Sequence, residues 1–250
     1  MGWRIQQRFI RTITMSATEL SNYSTSTLHA LLEAGELVRK SCQALDKAGL
    51  NLVGECLKGQ GDFYEFSHYP ADDVYDADSK SQYYFHTHRG LSGEYGHFHT
   101  FLRAGGMPTS LKPIKNTGQE PWPSGPEALS HLICISMNQQ GYPIGLFTTN
   151  RWVTGETWYD AESVIEMLDS FSIDHAHPNL AVNQWITAIF RLYRSEIHEL
   201  IMLRDQKITH WRKSHPGSDV FEDRKLEITS YQTINVDLKI NEIEQALEKA

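Results

Sequence analysis

Two stretches of this chain alternate in character with a period of two, and they stand close enough together to form a hairpin. The first runs from Gln82 to His88 and carries His86 and His88; the second runs from His97 to Arg103 and carries His97 and His99. Successive side chains of a strand face opposite ways, so His86 and His88 share a face with Gln82 and Tyr84, and His97 and His99 share one with Phe101 and Arg103. The alternate positions, Tyr83, Phe85, Thr87, Phe98, Thr100 and Leu102, are more apolar and suit contact with a core. With His88 opposite His97 and His86 opposite His99, all four imidazoles emerge on one side, at the roughly 4.5–5.5 Å Cβ separation of cross-strand neighbours. A slip of one residue would send the two pairs to opposite faces.

The rest of the chain is organised around this hairpin. Apolar residues from Leu28 to Leu45 recur at three- and four-residue intervals and predict a helix from about Thr27, preceded by capping residues in 21–26 and stopped at Gly49. A strand is expected over residues 61–67, then an acidic loop over 69–78. Residues 107–126, rich in Pro and Gly, read as a long surface loop, possible lid included. Residues 131–138 and 144–150 predict a second hairpin. Helices return after Asp160, with Pro178 opening a long one whose stripe includes Val182, Trp185, Ile186, Ile189, Ile197 and Leu200. A late strand over 226–236 and a closing helix over 241–249 complete the reading. The expected class is α+β: a central antiparallel sheet of hairpins flanked by N- and C-terminal helices. Residues 1–16 read as a flexible N-terminal extension, with Met15 a natural start, and residues 17–250 as a single domain carrying the histidine-rich hairpin.

Imidazole is the commonest metal ligand at neutral pH, and it suits iron, copper and zinc. The expected cofactor is therefore a divalent transition metal ion held by His86, His88, His97 and His99. Three such ligands with one open position make a catalytic site, and a fully ligated ion makes a structural one. Glu94 is the candidate general base or carboxylate ligand. Arg89 and Arg103 flank the histidine strands and are candidates to hold an anionic small-molecule substrate by bidentate contacts. His68, Asp72, Asp73 and Asp76 are candidate supporting partners. The competing reading leaves the histidines as polar residues of a solvated or hydrogen-bonded strand face. His175 and His177 are expected to serve the following helix, with His177 or Asp174 as its cap. His131, His198, His210 and His215 are isolated in the sequence. Cys134 reads as a buried strand residue. Asn150, Arg151, Trp152 and Glu156 follow a strand end, where ligand groups and core plugs are equally expected.

Composition narrows the partners. The formal charge of −8 argues against broad contact with a phosphate backbone, so no nucleic acid is expected. No apolar run approaches the roughly 20 residues of a membrane span, so no membrane partner is expected either. The three cysteines have no Cys-x-x-Cys spacing and read as reduced thiols, which points to the cytoplasm. The oligomeric state is left open. Two functions follow: a metal-dependent enzyme of oxygenase or hydrolase type, or a non-catalytic metal- or haem-binding, sensing or interaction protein.

The segments from His68 through Asp73, from Ser81 to His88 and from Gly93 to Arg103 together resemble an uncharacterised bacterial family of domains of unknown function. The segments from Gly145 to Glu156 and from Val182 to Trp185 resemble the same family, so the likeness spans most of residues 20–245. It implies no activity. Cupin metal sites place Glu three or four residues after His-x-His; here five residues separate His88 from Glu94, and His97 follows only three positions later.

Overall fold

The computed structural model describes residues 20–88 and 93–250. The proposed N-terminal extension and Arg89 lie outside them. Six strands form one antiparallel sheet in strictly sequential order. They are β1 (Tyr69–Tyr75), β2 (Ser81–His86), β3 (Gly96–Arg103), β4 (Leu129–Met137), β5 (Pro143–Thr149) and β6 (Ile228–Thr233). The described helices are α1 (Thr25–Asp46), α2 (Leu52–Leu57), α3 (Arg151–Thr154), α4 (Ala161–Met167), α5 (Leu180–Leu192), α6 (Arg194–Ser214) and α7 (Val236–Leu247). The α+β architecture, with helices at both ends of the chain and hairpins between, agrees with the sequence expectation.

Local chemistry sets the helix ends. Ser24 caps α1 by accepting from the Thr27 amide at 3.2 Å, and Asp160 caps α4 by accepting from the Ser163 amide. Asn179, not His177 or Asp174, caps α5. The long apolar stripe is divided between two helices, α5 and α6, which meet at Tyr193. Gly35 lets α1 approach α7 closely, because a Cβ there would sit 2.6 Å from Ile240.

One face of the sheet carries the main core. Tyr83, Phe85, Phe98, Leu102, Ile133, Ile135 and Leu146 pack with Leu28 and Val38 of α1, Val164 of α4, Trp185 and Ile189 of α5, and Leu200 of α6. Burial of this order is the dominant stabilising term, at about 1.5–3 kcal/mol per large apolar side chain. Tyr83 ties sheet to helix by donating its hydroxyl to Asn183 Oδ1 at 2.6 Å. The apolar side of the histidine strands is thus the helix-covered side, as the alternation requires.

Two further expectations are corrected. The first strand lies at Tyr69–Tyr75, not 61–67, so the stretch read as an acidic loop is largely β1. Its polar residues are tolerated because β1 is an edge strand with a register irregularity between Tyr69 and Val74, where Asp73 adopts φ +56°. The remaining turn is organised by Asp76, whose carboxylate accepts from the amides of Asp78, Ser79 and Asp174. The hairpin register also differs: His86 pairs with His97 and Tyr84 with His99. The shift is two residues, so the parity, and with it the shared face, is kept.

A candidate metal centre on the histidine face

The sheet face opposite the helices carries donor groups from three adjacent strands. His86 on β2, His97 and His99 on β3, and His131 and Cys134 on β4 are all buried, and His88, just past the end of β2, is half-buried. His86 Nε2 lies 2.8 Å from His97 Nε2 and 3.1 Å from His99 Nε2. The His88 ring centre is 4.8 Å from that of His86 and 5.2 Å from that of His97. His86, His88 and His97 each offer a nitrogen within 4.8 Å of the others, and so, separately, do His99, His131 and Cys134 with their own donor atoms.

Glu94 fixes the chemistry of His97. Its Oε1 accepts from His97 Nδ1 at 2.9 Å, and its Oε2 accepts from the Ser136 hydroxyl at 2.6 Å. A proton held on Nδ1 leaves Nε2 as the lone-pair nitrogen, turned toward His86. This carboxylate–imidazole pairing orients metal ligands and raises their basicity. Tetrahedral zinc–nitrogen bonds of 2.0–2.1 Å imply nitrogens about 3.3–3.4 Å apart, so the 2.8 Å contact must open by roughly 0.5 Å to admit an ion.

Behind the rings runs a second chain of contacts. His68 stacks on Tyr84 with ring centres 3.5 Å apart and pairs through Nδ1 with Asp73 at 2.8 Å. The Gln82 amide donates to Asp73 at 2.5 Å, and Arg103 Nε donates to Gln82 Oε1 at 2.6 Å. Arg103 is therefore engaged at the far end of β3 from His97. Asp72 is exposed.

Cys134 is a buried strand residue, as its sequence context implies, but neither its nearness to His99 nor any role for His131 is visible in the sequence. In a regular strand, positions three apart face opposite ways. Here His99 pairs with Cys134 but Phe101 pairs with His131, so β4 holds one extra residue in this interval. Thr100 fills the irregularity, donating its hydroxyl to the Ile133 carbonyl at 2.6 Å and accepting from the Ile133 amide at 3.2 Å. The bulge turns His131 onto the face of Cys134. Nothing in a periodicity reading signals it. Burial, with a lesser push from Arg204, lowers the His131 imidazole to a pKa of about 3, so it is neutral and a potential ligand at physiological pH.

The group after β5 is a brace. Asn150 caps α3 and donates to the Val220 carbonyl; Arg151 binds Glu222 and the carbonyls of Glu156 and Pro121; Trp152 donates to the Leu226 carbonyl. Glu156 accepts from the His131 amide at 2.6 Å and supports β4 from below. Burial raises its carboxyl to about 7. The backbone carbonyls of His175 and His177 accept from the Asn183 amide group, so this pair serves to anchor the loop before α5. An open cleft of about 580 Å³, lined by residues such as Thr117, Arg212 and Phe221, contains none of the donor histidines.

Fold and site together define an α+β protein with a one-sided helical layer and an opposite face rich in histidine donors that could hold a metal ion. Residues 32–234 match the family described as Domain of unknown function (DUF6969), and the chain belongs to that family. Neither curated proteins nor solved structures gave a match.

Proposed function

We propose that this protein binds a first-row transition metal ion through His86, His88 and His97, with His99 Nε2 adjoining, and uses it as a metal-dependent enzyme acting on a small molecule. The observation that carries this reading is the Glu94–His97–His86 relay: a buried carboxylate holds one imidazole nitrogen, and its other nitrogen is 2.8 Å from a second imidazole. Three protein imidazoles leave a coordination position for water or substrate. His88 is the most exposed of the three and marks the side from which a small molecule enters. Iron or copper there would supply oxygenase chemistry, and zinc would supply hydrolysis. Glu94, engaged by His97 and Ser136, acts as a positioning residue in this reading. Arg89 and Arg103 are proposed to hold an anionic substrate; Arg103 is linked to the histidine face only indirectly, through Gln82, Asp73 and the His68 ring stacked on Tyr84.

The test is elemental analysis of the full chain purified without chelator. The wild type retains a transition ion, and a His86→Ala, His97→Ala double variant that still folds loses it. An equal metal content in both proteins overturns the reading. Azide or nitric oxide should perturb the spectrum of the cobalt- or iron-loaded protein, because the open position accepts it. A loaded protein indifferent to both would be a non-catalytic carrier.

A further inference from the structure

The donor atoms of His99, His131 and Cys134 form a nearly equilateral triangle. Cys134 Sγ is 3.1 Å from His99 Nδ1 and 3.2 Å from His131 Nε2, and the two nitrogens are 3.2 Å apart. All three residues are at most 3% exposed. We propose that this triangle is a second metal site, distinct from the one centred on His86 and His97, and that it takes a thiophilic monovalent ion, copper(I).

Three arguments select that class. The donor set is one sulfur and two imidazoles in a three-coordinate arrangement, and thiolate ligands favour copper(I) and zinc over harder ions. Ideal trigonal bonds of about 2.0 Å to nitrogen and 2.3 Å to sulfur need edges of about 3.5–3.7 Å, roughly 0.3–0.6 Å longer than those present. Charge then separates the two candidates. Binding expels the thiol proton to solvent, so the site contributes one negative charge and two neutral rings. Copper(I) makes the buried assembly neutral, whereas zinc would leave a net positive charge among residues at most 3% exposed. No electron is transferred in binding.

The fold supports a built site. The β4 bulge is what brings His131 and Cys134 to one face, and Thr100 and Glu156 hold the bulge through backbone contacts at Ile133 and His131. The His99 ring stands between the two sites, with Nδ1 toward Cys134 and Nε2 toward His86.

Anaerobic titration of the full chain with copper(I), against a competing chromophoric chelator, tests this. The wild type should develop the ultraviolet thiolate-to-copper band and bind one equivalent that Cys134→Ser loses. The His86→Ala, His88→Ala variant should keep that band, which separates failure of this site from failure of the first. X-ray absorption of the copper-loaded wild type should show one sulfur and two imidazole donors, a readout that does not depend on the variants folding. The proposal is overturned by a band that persists in Cys134→Ser, by a nitrogen-only shell, by preferential filling with zinc, or by no copper(I) uptake. The last result would leave the triangle as a hydrogen-bonded cluster.

Discussion

At the scale of single residues, Glu94 decides how His97 can act. The carboxylate is held on both oxygens, by His97 and Ser136, so its removal frees the imidazole to change tautomer. Glu94→Gln is expected to weaken ion binding at His86, His88 and His97 by about 10–100-fold while the fold persists. A chelator-competition titration with circular dichroism as the folding control checks this. A contrasting residue pair lies in the helical layer, where Lys239 Nζ donates to Glu196 Oε1 at 2.6 Å and both side chains are at most 6% exposed. Removing one partner by Lys239→Ala leaves a buried charge uncompensated and should cost about 3–5 kcal/mol in urea unfolding. The exposed Lys40–Glu36 pair is screened by solvent, and breaking it should leave the unfolding midpoint nearly unchanged.

At the scale of elements, the β4 bulge links local backbone geometry to the chemistry of the face. Thr100→Val removes the hydroxyl that serves both polar groups of Ile133 and should cost about 1–3 kcal/mol. Copper(I) affinity should fall with it, because His131 loses its fixed position; the same variant leaves the His86–His97 pairing untouched. The paired strands around His86 and His97 were legible in the sequence because period-two alternation reports faces directly, and it survives a register shift of two. β1 was misplaced because its Asp72 and Asp73 look like turn residues, and an edge strand with a bulge tolerates what a central strand would not. α2 was missed because six residues, Leu52–Leu57, are too few to display helical periodicity. His131 escaped notice for a related reason: an inserted residue breaks the very period on which the reading depends.

At the scale of the molecule, metal binding and folding are coupled, because donors scattered from His86 to Cys134 converge only when β2, β3 and β4 are paired. An ion at 100 times its dissociation constant stabilises the native state by about 2.7 kcal/mol, which for a chain of this size raises Tm by about 5–10 °C. In protein loaded at the His86–His97 site alone, chelator should lower the wild-type Tm by that amount and leave the His86→Ala, His97→Ala variant unchanged, as calorimetry can show. The sequential strand order carries one more consequence. Strands β2 to β5 each pair with the strand just made, so sheet growth can keep step with synthesis from the N-terminus. β6 is different: it joins β5 only after the whole segment between Thr149 and Ile228, with α3 to α6, has been threaded into place. A ribosome that pauses inside that segment leaves the β5 margin, with Leu146 and Phe147, without its final neighbour. The vulnerable nascent species is therefore a five-stranded intermediate, and chaperone contact should peak there.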